Sequence, residues 1–300
     1  MCRLALTIFA ILAAAASPHA AEPLTFPGAV SEIYKHASDT DLYLHRFDPP
    51  TGESTAPRPA VVFFFGGGWV SGSAKQFEPH ARYLSARGLV VFLADYRTAK
   101  ANGTTPRDAA ADATSAIRWV RAHAGPLNLD SGRIAVGGGS AGGHLAAVTG
   151  ICEGFDEAGE DLTVSSKANA LLLFNPVYDN GPDGYGHDRV KEWFPAISPA
   201  HNHSTDDPPT IVFLGTKDKL IPGATAEAFQ AAQKALGIRS DLHLYEGAEH
   251  GFFNLAVGTG KVEHFIDTIR KTDTFLISLG YLSGEPDLAL LDKIAGKSQP

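Results

Sequence analysis

The stretch GGGSAGGH, residues 137–144, follows a short apolar run at 134–136 and leads into a helical pattern over 141–149. Its central five residues read Gly-Gly-Ser-Ala-Gly, which fits the spacing Gly-x-Ser-x-Gly around Ser140. This spacing is typical of a tight strand-to-helix turn that strains the serine backbone and exposes its hydroxyl. The outer glycines are expected because side chains there would collide across the turn. The pattern predicts Ser140 as a nucleophile, and a plain glycine-rich turn is the alternative.

Apolar runs without polar alternation lie on both sides of this stretch. Such runs are typical of strands buried on both faces, as in a parallel sheet. Helical patterns fall between them, so the sequence predicts an α/β fold with a mainly parallel central sheet flanked by helices. The predicted elements are two antiparallel strands (SEIYKHA and DLYLHRF), buried strands at 60–65, 89–94, 134–136, 170–174 and 211–214, an edge strand at 241–245, and helices at 77–87, 107–124, 141–149, 224–236 and 262–279.

Composition indicates a folded globular protein. The chain has 300 residues, of which 44% are hydrophobic and 19% charged, with no repeats and no compositional shift that would mark a second domain. The net charge of -8 argues against a nucleic-acid partner, because binding to nucleic acid needs a basic face. We expect residues 22–300 to form one domain.

The N-terminus has the pattern of a signal peptide at residues 1–21. A basic residue precedes an apolar run at 4–16, and small residues follow, with cleavage predicted near Ala20 or Ala21. The run is shorter than the roughly 20 residues that span a bilayer. We therefore expect export to the periplasm or beyond and no membrane span in the mature chain, and an uncleaved anchor is the alternative.

Cys152 is the one cysteine that remains after the leader is removed. A single thiol cannot form an internal disulfide, so the mature chain must be stable through its core alone. The residues around Cys152 do not suggest a nucleophile, and a buried small residue is the better interpretation.

A serine nucleophile needs a base, and the base needs an acid that orients it. Asp218 comes just after the apolar run at 211–214, in GTKD, where a strand end would present it. His250 lies after the last predicted strand, in YEGAEHGFF, between glycines that turn the loop sharply. The chain order serine, acid, histidine therefore predicts a triad of Ser140, Asp218 and His250.

Other polar residues receive structural interpretations. Asp95 and Arg97 form a candidate loop-holding pair, and Asp112 is expected to be a solvated or capping residue on its helix. His201 and His203, in HNH, lie in a polar loop without the carboxylate or cysteine neighbours that a metal would need. No metal and no cofactor are predicted.

The motifs FGGGW, DYR, GGSAGGH, GTKD and EHGFF together resemble those of the hormone-sensitive-lipase-like esterase group, which includes exported bacterial acetyl esterases. The resemblance covers nearly the whole mature chain and implies an α/β-hydrolase fold. It also implies an oxyanion hole formed by the backbone N–H groups of Gly67, Gly68 and Ala141. Relatives usually carry histidine before the three glycines, so Phe65 would have to brace this loop by packing instead of hydrogen bonding.

The segment 177–209 is long and irregular, and it lies between two predicted strands at the catalytic edge. Long loops in that position usually face the substrate. Trp69, Tyr185, Trp193 and Phe194 are candidate pocket residues, with plain loop or core packing as the alternative. Because the segment before the first predicted strand is short, we expect a small cap or none. An open site of this kind favours a small acyl group or a bulky alcohol such as a sugar.

The resulting interpretation is an exported serine carboxylesterase that hydrolyses short-acyl esters. Acetyl groups on carbohydrates are candidate substrates, implied by the resemblance and by the export signal. One alternative is a serine peptidase acting on small peptides, although no residues for binding a peptide terminus can be assigned. The other is a binding protein with the same fold, in which Phe65 marks a decayed site.

Overall fold

The structure, a computed structural model, describes residues 24–37, 40–50, 56–256 and 262–297. The leader predicted at 1–21 lies outside these ranges, so its cleavage and the bounds of the mature domain stay predictions. None of the helices in these ranges combines the length and hydropathy that a bilayer span requires.

The strands of the described residues form one eight-stranded sheet. The central strands are buried along their whole length, which is why their sequences are continuous apolar runs instead of alternating ones. The strands are β1 (Val30–Ala37), β2 (Thr40–Phe47), β3 (Arg58–Phe64), β4 (Val90–Ala94), β5 (Leu129–Gly139), β6 (Ala170–Phe174), β7 (Thr210–Gly215) and β8 (Ser240–Tyr245).

The strand order is β1-β2-β4-β3-β5-β6-β7-β8. The pairs β1–β2 and β2–β4 are antiparallel, and all pairs from β4 to β8 are parallel. The chain runs from β3 outward to β4 and then returns to add β5 on the other side of β3. Ligands bind at such a reversal of strand order, outside the carboxyl ends of the strands. The topology therefore places a site where β3 and β5 end, and it confirms the mainly parallel sheet and the edge position of β8.

Helices lie between the strands as the sequence predicts, with ends that differ by a few residues. The C-terminal helix was not predicted, although Asp287 precedes it and accepts a hydrogen bond from the N–H of Leu290 at 2.9 Å, a usual start signal. The helices are α1 (Glu78–Ala86), α2 (Ala99–Asn102), α3 (Pro106–Ala122), α4 (Ala141–Ile151), α5 (His187–Val190), α6 (Phe194–Ile197), α7 (Gly223–Ala235), α8 (Glu263–Ser278) and α9 (Leu288–Ile294), with 3₁₀ turns at Ala74–Phe77, Lys191–Trp193 and Pro199–His201.

β5 is longer than the apolar run that predicts it, because its glycines remain paired within the sheet. Gly138 pairs with Phe64 of β3 and with Leu173 of β6. A Cβ atom at Gly137 would lie 2.6 Å from the ring of Phe63, so the strand can pass this phenylalanine only as glycine. Low side-chain hydrophobicity hides this part of the strand from a sequence pattern.

The interpretation of Asp112 as a solvated or capping residue is wrong. Its carboxylate is fully buried in α3 and accepts hydrogen bonds from Lys35 Nζ and from Arg97 Nη2, both at 2.7 Å. A buried carboxylate needs such partners, and two cations supply them here. The proposed pairing of Arg97 with Asp95 is therefore also wrong, and Asp95 instead faces His45 Nε2 at 3.5 Å.

We expect Asp112→Asn to lower the free energy of unfolding by about 3 kcal/mol, because Lys35 and Arg97 lose the buried one of the two anions that they share and keep only the partly exposed Glu157. Urea unfolding followed by circular dichroism measures the change. Asp130→Asn is the matched control, since Asp130 pairs with Arg133 at a half-exposed site where such pairs contribute about 1 kcal/mol or less. Equal losses in the two variants would contradict the structural importance of the Asp112 cluster.

Candidate active site

Ser140 follows β5 with φ 55° and ψ −120°, a backbone conformation that non-glycine residues rarely adopt. Its N–H donates to the carbonyl oxygen of Phe174 at 2.9 Å, which holds the turn against β6. A Cβ atom at Gly142 would lie 2.1 Å from the carbonyl oxygen of Phe64, and one at Gly138 would lie 2.3 Å from that of Gly142. Glycine is therefore required on both sides of the serine, as the motif predicts.

The three residues of the predicted triad meet at the carboxyl edge of the sheet. Ser140 follows β5, Asp218 follows β7 and His250 follows β8. His250 Nε2 lies 2.9 Å from Ser140 Oγ, and His250 Nδ1 lies 2.7 Å from Asp218 Oδ2. An ionised carboxylate can only accept, so Nδ1 carries the proton of the neutral imidazole and Nε2 is left as an acceptor for the serine hydroxyl.

The carboxylate of Asp218 is buried but well supplied with donors. Burial by itself would raise its pKa, but hydrogen bonds from His250 and from the backbone N–H groups of Ile221 and Leu220 outweigh that effect and hold the pKa below its usual value. The two backbone donors reach Oδ1 at 3.0 and 2.8 Å. Asp218 therefore remains ionised and keeps the imidazole in one orientation.

Ser140 opens into a cavity of about 230 Å³ whose wall includes the glycines at 66–68. Gly67 has φ 128° and Gly68 has φ 64°, both in the region that favours glycine. A Cβ atom at Gly67 would lie 1.8 Å from the carbonyl oxygen of Ser71, because the loop turns back on itself there. Within the described residues, the N–H groups of Gly67 and Gly68 make no hydrogen bond, which leaves them available to a ligand.

Phe65 braces the loop by packing, as expected for a phenylalanine at this position. Its ring stacks on Tyr96 with centroids 4.1 Å apart, and the Tyr96 hydroxyl donates to the carbonyl oxygen of Phe65 at 2.9 Å. Burial raises the pKa of Tyr96, so its phenol stays protonated and remains a donor. The next residue, Gly66, donates its N–H to Gln76 Oε1 at 2.6 Å. Sequence reasoning missed the contributions of Tyr96 and Gln76, because no local pattern joins them to the loop.

Arg189, on α5, supports the same loop from the segment 177–209. Its Nη1 donates to the carbonyl oxygen of Gly68 at 2.7 Å. Its guanidinium carbon lies 6.0 Å from the ring centroid of Trp69 and 5.7 Å from that of Tyr185. No carboxylate of the described residues lies within ion-pair distance of it. Nothing in the sequence around Arg189 predicts this contact, which joins residues 121 positions apart.

Of the four aromatic residues predicted to bind substrate, the structure brings only Tyr185 to the cavity. Trp69 is a core residue, 1% exposed, because its left-handed backbone (φ 59°) directs the ring beneath the loop. Trp193 and Phe194 are partly buried against the hydrophobic core, and the Phe194 ring also contacts that of His187 in the same segment, with centroids 5.3 Å apart. The alternative of core or loop packing describes these three residues.

A larger cavity, about 680 Å³, lies beside the segment that follows α4 and is lined in part by Arg118 and Cys152. Arg118 pairs there with Asp156 and Glu160, so its charge is satisfied within the protein. Burial raises the pKa of the Cys152 thiol, which disfavours a nucleophilic thiolate. Across the described ranges, no three histidine, cysteine or acidic side chains are placed to share a metal ion. That the protein uses no metal or cofactor stays a prediction.

Comparison with solved structures finds close likeness along nearly the whole described chain. Esterase 2 of Thermogutta terrifontis, phosphoramylated by tabun, is 42% identical, and the match covers 88% of this chain and 99% of that one with a TM-score of 0.83. The same esterase with propionate bound and with butyrate bound is 41% and 40% identical, each match covering 86% of this chain and 97% of that one with a TM-score of 0.81.

Sequence comparison gives the same assignment. The family model BD-FAE matches residues 41–179. Esterase LipC of Mycobacterium tuberculosis is 32% identical over 235 residues, covering 71% of this chain and 58% of the relative. A probable isoprenylcysteine alpha-carbonyl methylesterase of Arabidopsis thaliana is 30% identical over 234 residues, covering 70% and 48%. The chain thus spans about half the length of the curated relatives it matches.

The motif resemblance, the mainly parallel sheet and the match to the full length of a solved esterase agree with one another. This chain belongs to the hormone-sensitive-lipase-like esterases of the α/β-hydrolase fold.

Proposed function

We propose that the protein is an exported serine carboxylesterase that acts on short-acyl esters. The observation that carries the proposal is the continuous contact from Asp218 through His250 to Ser140, at 2.7 and 2.9 Å, beside a cavity walled by free backbone N–H groups. A serine hydroxyl is a weak nucleophile until an adjacent base removes its proton, and this geometry supplies the base. The names of the relatives, esterase and methylesterase, support the same reaction class.

In this mechanism Ser140 Oγ bonds to the ester carbonyl carbon while its proton moves to His250 Nε2. Asp218 stabilises the imidazolium that forms. The bond between the carbonyl carbon and the alcohol oxygen then breaks, and the departing alcohol takes the proton from Nε2. This step leaves the acyl group on Ser140 Oγ. Water attacks the acyl carbon as His250 accepts its proton, and return of that proton to Ser140 Oγ releases the carboxylic acid.

The oxyanion formed in each attack needs donors that already point toward it. We assign this role to the N–H groups of Gly67 and Gly68, together with that of Ala141 at the first position of α4. One such donor contributes about 3–4 kcal/mol to the transition state. The N-terminus of α4 adds a favourable potential for negative charge at the same point.

The cavity supports a small acyl group. Its volume of about 230 Å³ lies below the usual range of ligand pockets, roughly 300–1,000 Å³, and its apolar lining includes Leu220 and Phe253. The propionate and butyrate bound to the Thermogutta esterase are short carboxylates of the size that this cavity would accept. Acetyl groups on carbohydrates are the natural esters that we propose to test first, on the basis of the resemblance and of the predicted export.

Export is proposed from the leader pattern at residues 1–21. When the full chain is expressed in a Gram-negative bacterium, we expect mature protein in the periplasmic fraction or the medium. Its N-terminus, read by mass spectrometry, should follow Ala20 or Ala21. Recovery of the unprocessed chain in the membrane fraction would instead support the uncleaved anchor.

For substrate length, we expect kcat/KM on p-nitrophenyl esters to be highest for acetate or butyrate and to fall at least about tenfold for octanoate, because the cavity cannot bury the longer chain. Ser140→Ala should abolish turnover, with a loss of about 10⁶-fold in kcat. Activity that rises toward octanoate would contradict the short-acyl proposal. Hydrolysis of aminoacyl-arylamides without hydrolysis of esters would favour the peptidase alternative.

For the oxyanion loop, we expect Arg189→Ala to lower kcat for p-nitrophenyl acetate about tenfold with little change in KM, because a charged hydrogen bond that holds Gly68 is lost. Steady-state kinetics of Arg58→Ala provide the control, since Arg58 begins β3 at the opposite edge of the sheet. An equal decrease in both variants would show a nonspecific effect of charge.

A further inference from the structure

The glycine loop after β3 and the histidine loop after β8 are joined by side-chain amides. Gln76 Oε1 accepts the N–H of Gly66 at 2.6 Å, and Gln76 Nε2 donates to Asn254 Oδ1 at 3.0 Å. Asn254 Nδ2 in turn donates to the carbonyl oxygen of Gly251 at 2.9 Å. A direct path of hydrogen bonds therefore leads from the loop of the proposed oxyanion hole to the residue after His250.

The path continues to the imidazole through Asn175, which follows β6. Asn175 Oδ1 accepts the N–H of Gly251 at 3.0 Å, which leaves Asn175 Nδ2 facing His250 Nε2 at 3.4 Å. Asn175 is fully buried with φ 35°, and its own N–H donates to the carbonyl oxygen of Phe213 at 2.7 Å. Asparagine tolerates this conformation better than most residues do, so the site suits its side chain and its backbone together.

The polarity of this path is determined at each link by a backbone group. The N–H of Gly66 requires an oxygen from Gln76, so the Gln76 nitrogen must face Asn254. The N–H of Gly251 likewise requires the oxygen of Asn175. All three amides also line the cavity beside Ser140. Three neutral side chains thus make a hydrogen-bonded unit with one orientation, and a charge or an apolar group at any of them would break it.

We propose that Gln76, Asn254 and Asn175, here called the amide chain, are positioning residues that hold the proposed oxyanion loop and the imidazole of His250 at one separation. The sheet cannot do this alone, because β3 and β8 are separated in the sheet by β5, β6 and β7. Catalysis by a general base and an oxyanion hole depends on sub-ångström placement of both around one carbon atom. The proposal rests on the proposed esterase function and concerns how that site is held together.

Asn175 also contributes to the surroundings of the His250 imidazole. Asp218, at Nδ1, is the one charged side chain of the described residues within ion-pair distance of His250. At Nε2 the imidazole faces Ser140 Oγ and the amide nitrogen of Asn175, neither of which carries charge. Asn175 therefore places an uncharged group beside the nitrogen that must accept the serine proton.

A double-mutant cycle tests the chain through kcat for p-nitrophenyl acetate. Gln76→Met and Asn254→Leu should each lower kcat about tenfold, and the double variant should lose no more than the larger single loss, because either change already breaks the path. Independent residues would instead give multiplied losses of about a hundredfold, and this result would overturn the proposal. Gln230→Met is the control, a half-buried amide on α7 that donates to the carbonyl oxygen of Ser240 at 2.8 Å.

Asn175→Asp tests the link to the imidazole. The aspartate keeps an acceptor for the N–H of Gly251 but places a carboxylate near Nε2, which stabilises the protonated imidazole. Activity is lost as pH falls and His250 becomes protonated, so the acidic limb of the kcat/KM profile should move to higher pH by about one unit or more. A profile identical to that of the wild type would contradict the contact. Asn102→Asp, at a half-buried amide that donates to Thr40 Oγ1, should leave the limb unchanged.

The ratios of variant to wild-type activity can also be measured from the rate at which a fluorophosphonate labels Ser140. This labelling needs the base but no particular ester. Labelling of the wild type without ester turnover would contradict the short-acyl proposal. The labelling rates of the variants would still test the amide chain. If Gln76→Met fails to fold, Gln76→Glu retains the acceptor for Gly66 and removes only the donor to Asn254. If Gln76→Glu is labelled at the same rate as the wild type, the proposal of the amide chain is overturned. A labelling rate about tenfold slower supports it.

Discussion

The active site depends on one close backbone contact, in which the turn at Ser140 lies directly against the end of β3. An added Cβ atom at Gly142 would lie 2.1 Å from the carbonyl oxygen of Phe64 and 2.4 Å from that of Phe65. The contact brings the glycine loop and the serine to the same place, at the reversal of strand order. The sheet itself therefore positions Ser140 and the proposed oxyanion donors. Residues that follow β6, β7 and β8 complete the site around them.

The loop at 66–68 has few side chains of its own, so its conformation is held from outside. Tyr96 binds the carbonyl oxygen of Phe65, Gln76 binds the N–H of Gly66 and Arg189 binds the carbonyl oxygen of Gly68. These contacts use backbone groups of Phe65, Gly66 and Gly68 and leave the N–H groups of Gly67 and Gly68 unpaired. The packing of the Phe65 ring on Tyr96 and hydrogen bonds with three neighbours thus hold the loop at the position where the family resemblance implies a histidine.

The sequence located the residues that the structure brings together wherever each of them lies in a short pattern at a strand end. The strand–turn–helix pattern places Ser140, and Asp218 and His250 follow recognisable strands in the order that the fold requires. Residues whose importance depends on a distant partner could not be found in this way. Gln76 meets Asn254 across 178 positions, a separation that no local pattern encodes.

The errors have the same origin. Asp112 looked like a surface carboxylate because Lys35, which neutralises it, lies 77 positions away on β1. For Trp69 the sequence left a pocket wall and the core both open, because the inward turn of its backbone follows from the fold of the whole loop. The last part of β5 was missed because it consists of glycines, which pair within the sheet but have no side chains to form an apolar pattern.

The edge position of β8 has a consequence for when the protein becomes active. Among the described strands it pairs only with β7, and the loop that carries His250 follows it. During synthesis the serine and the glycine loop emerge long before the base, and a chain whose last strand has not yet docked holds an unactivated hydroxyl. The proposed triad is therefore complete only when this edge of the sheet has formed.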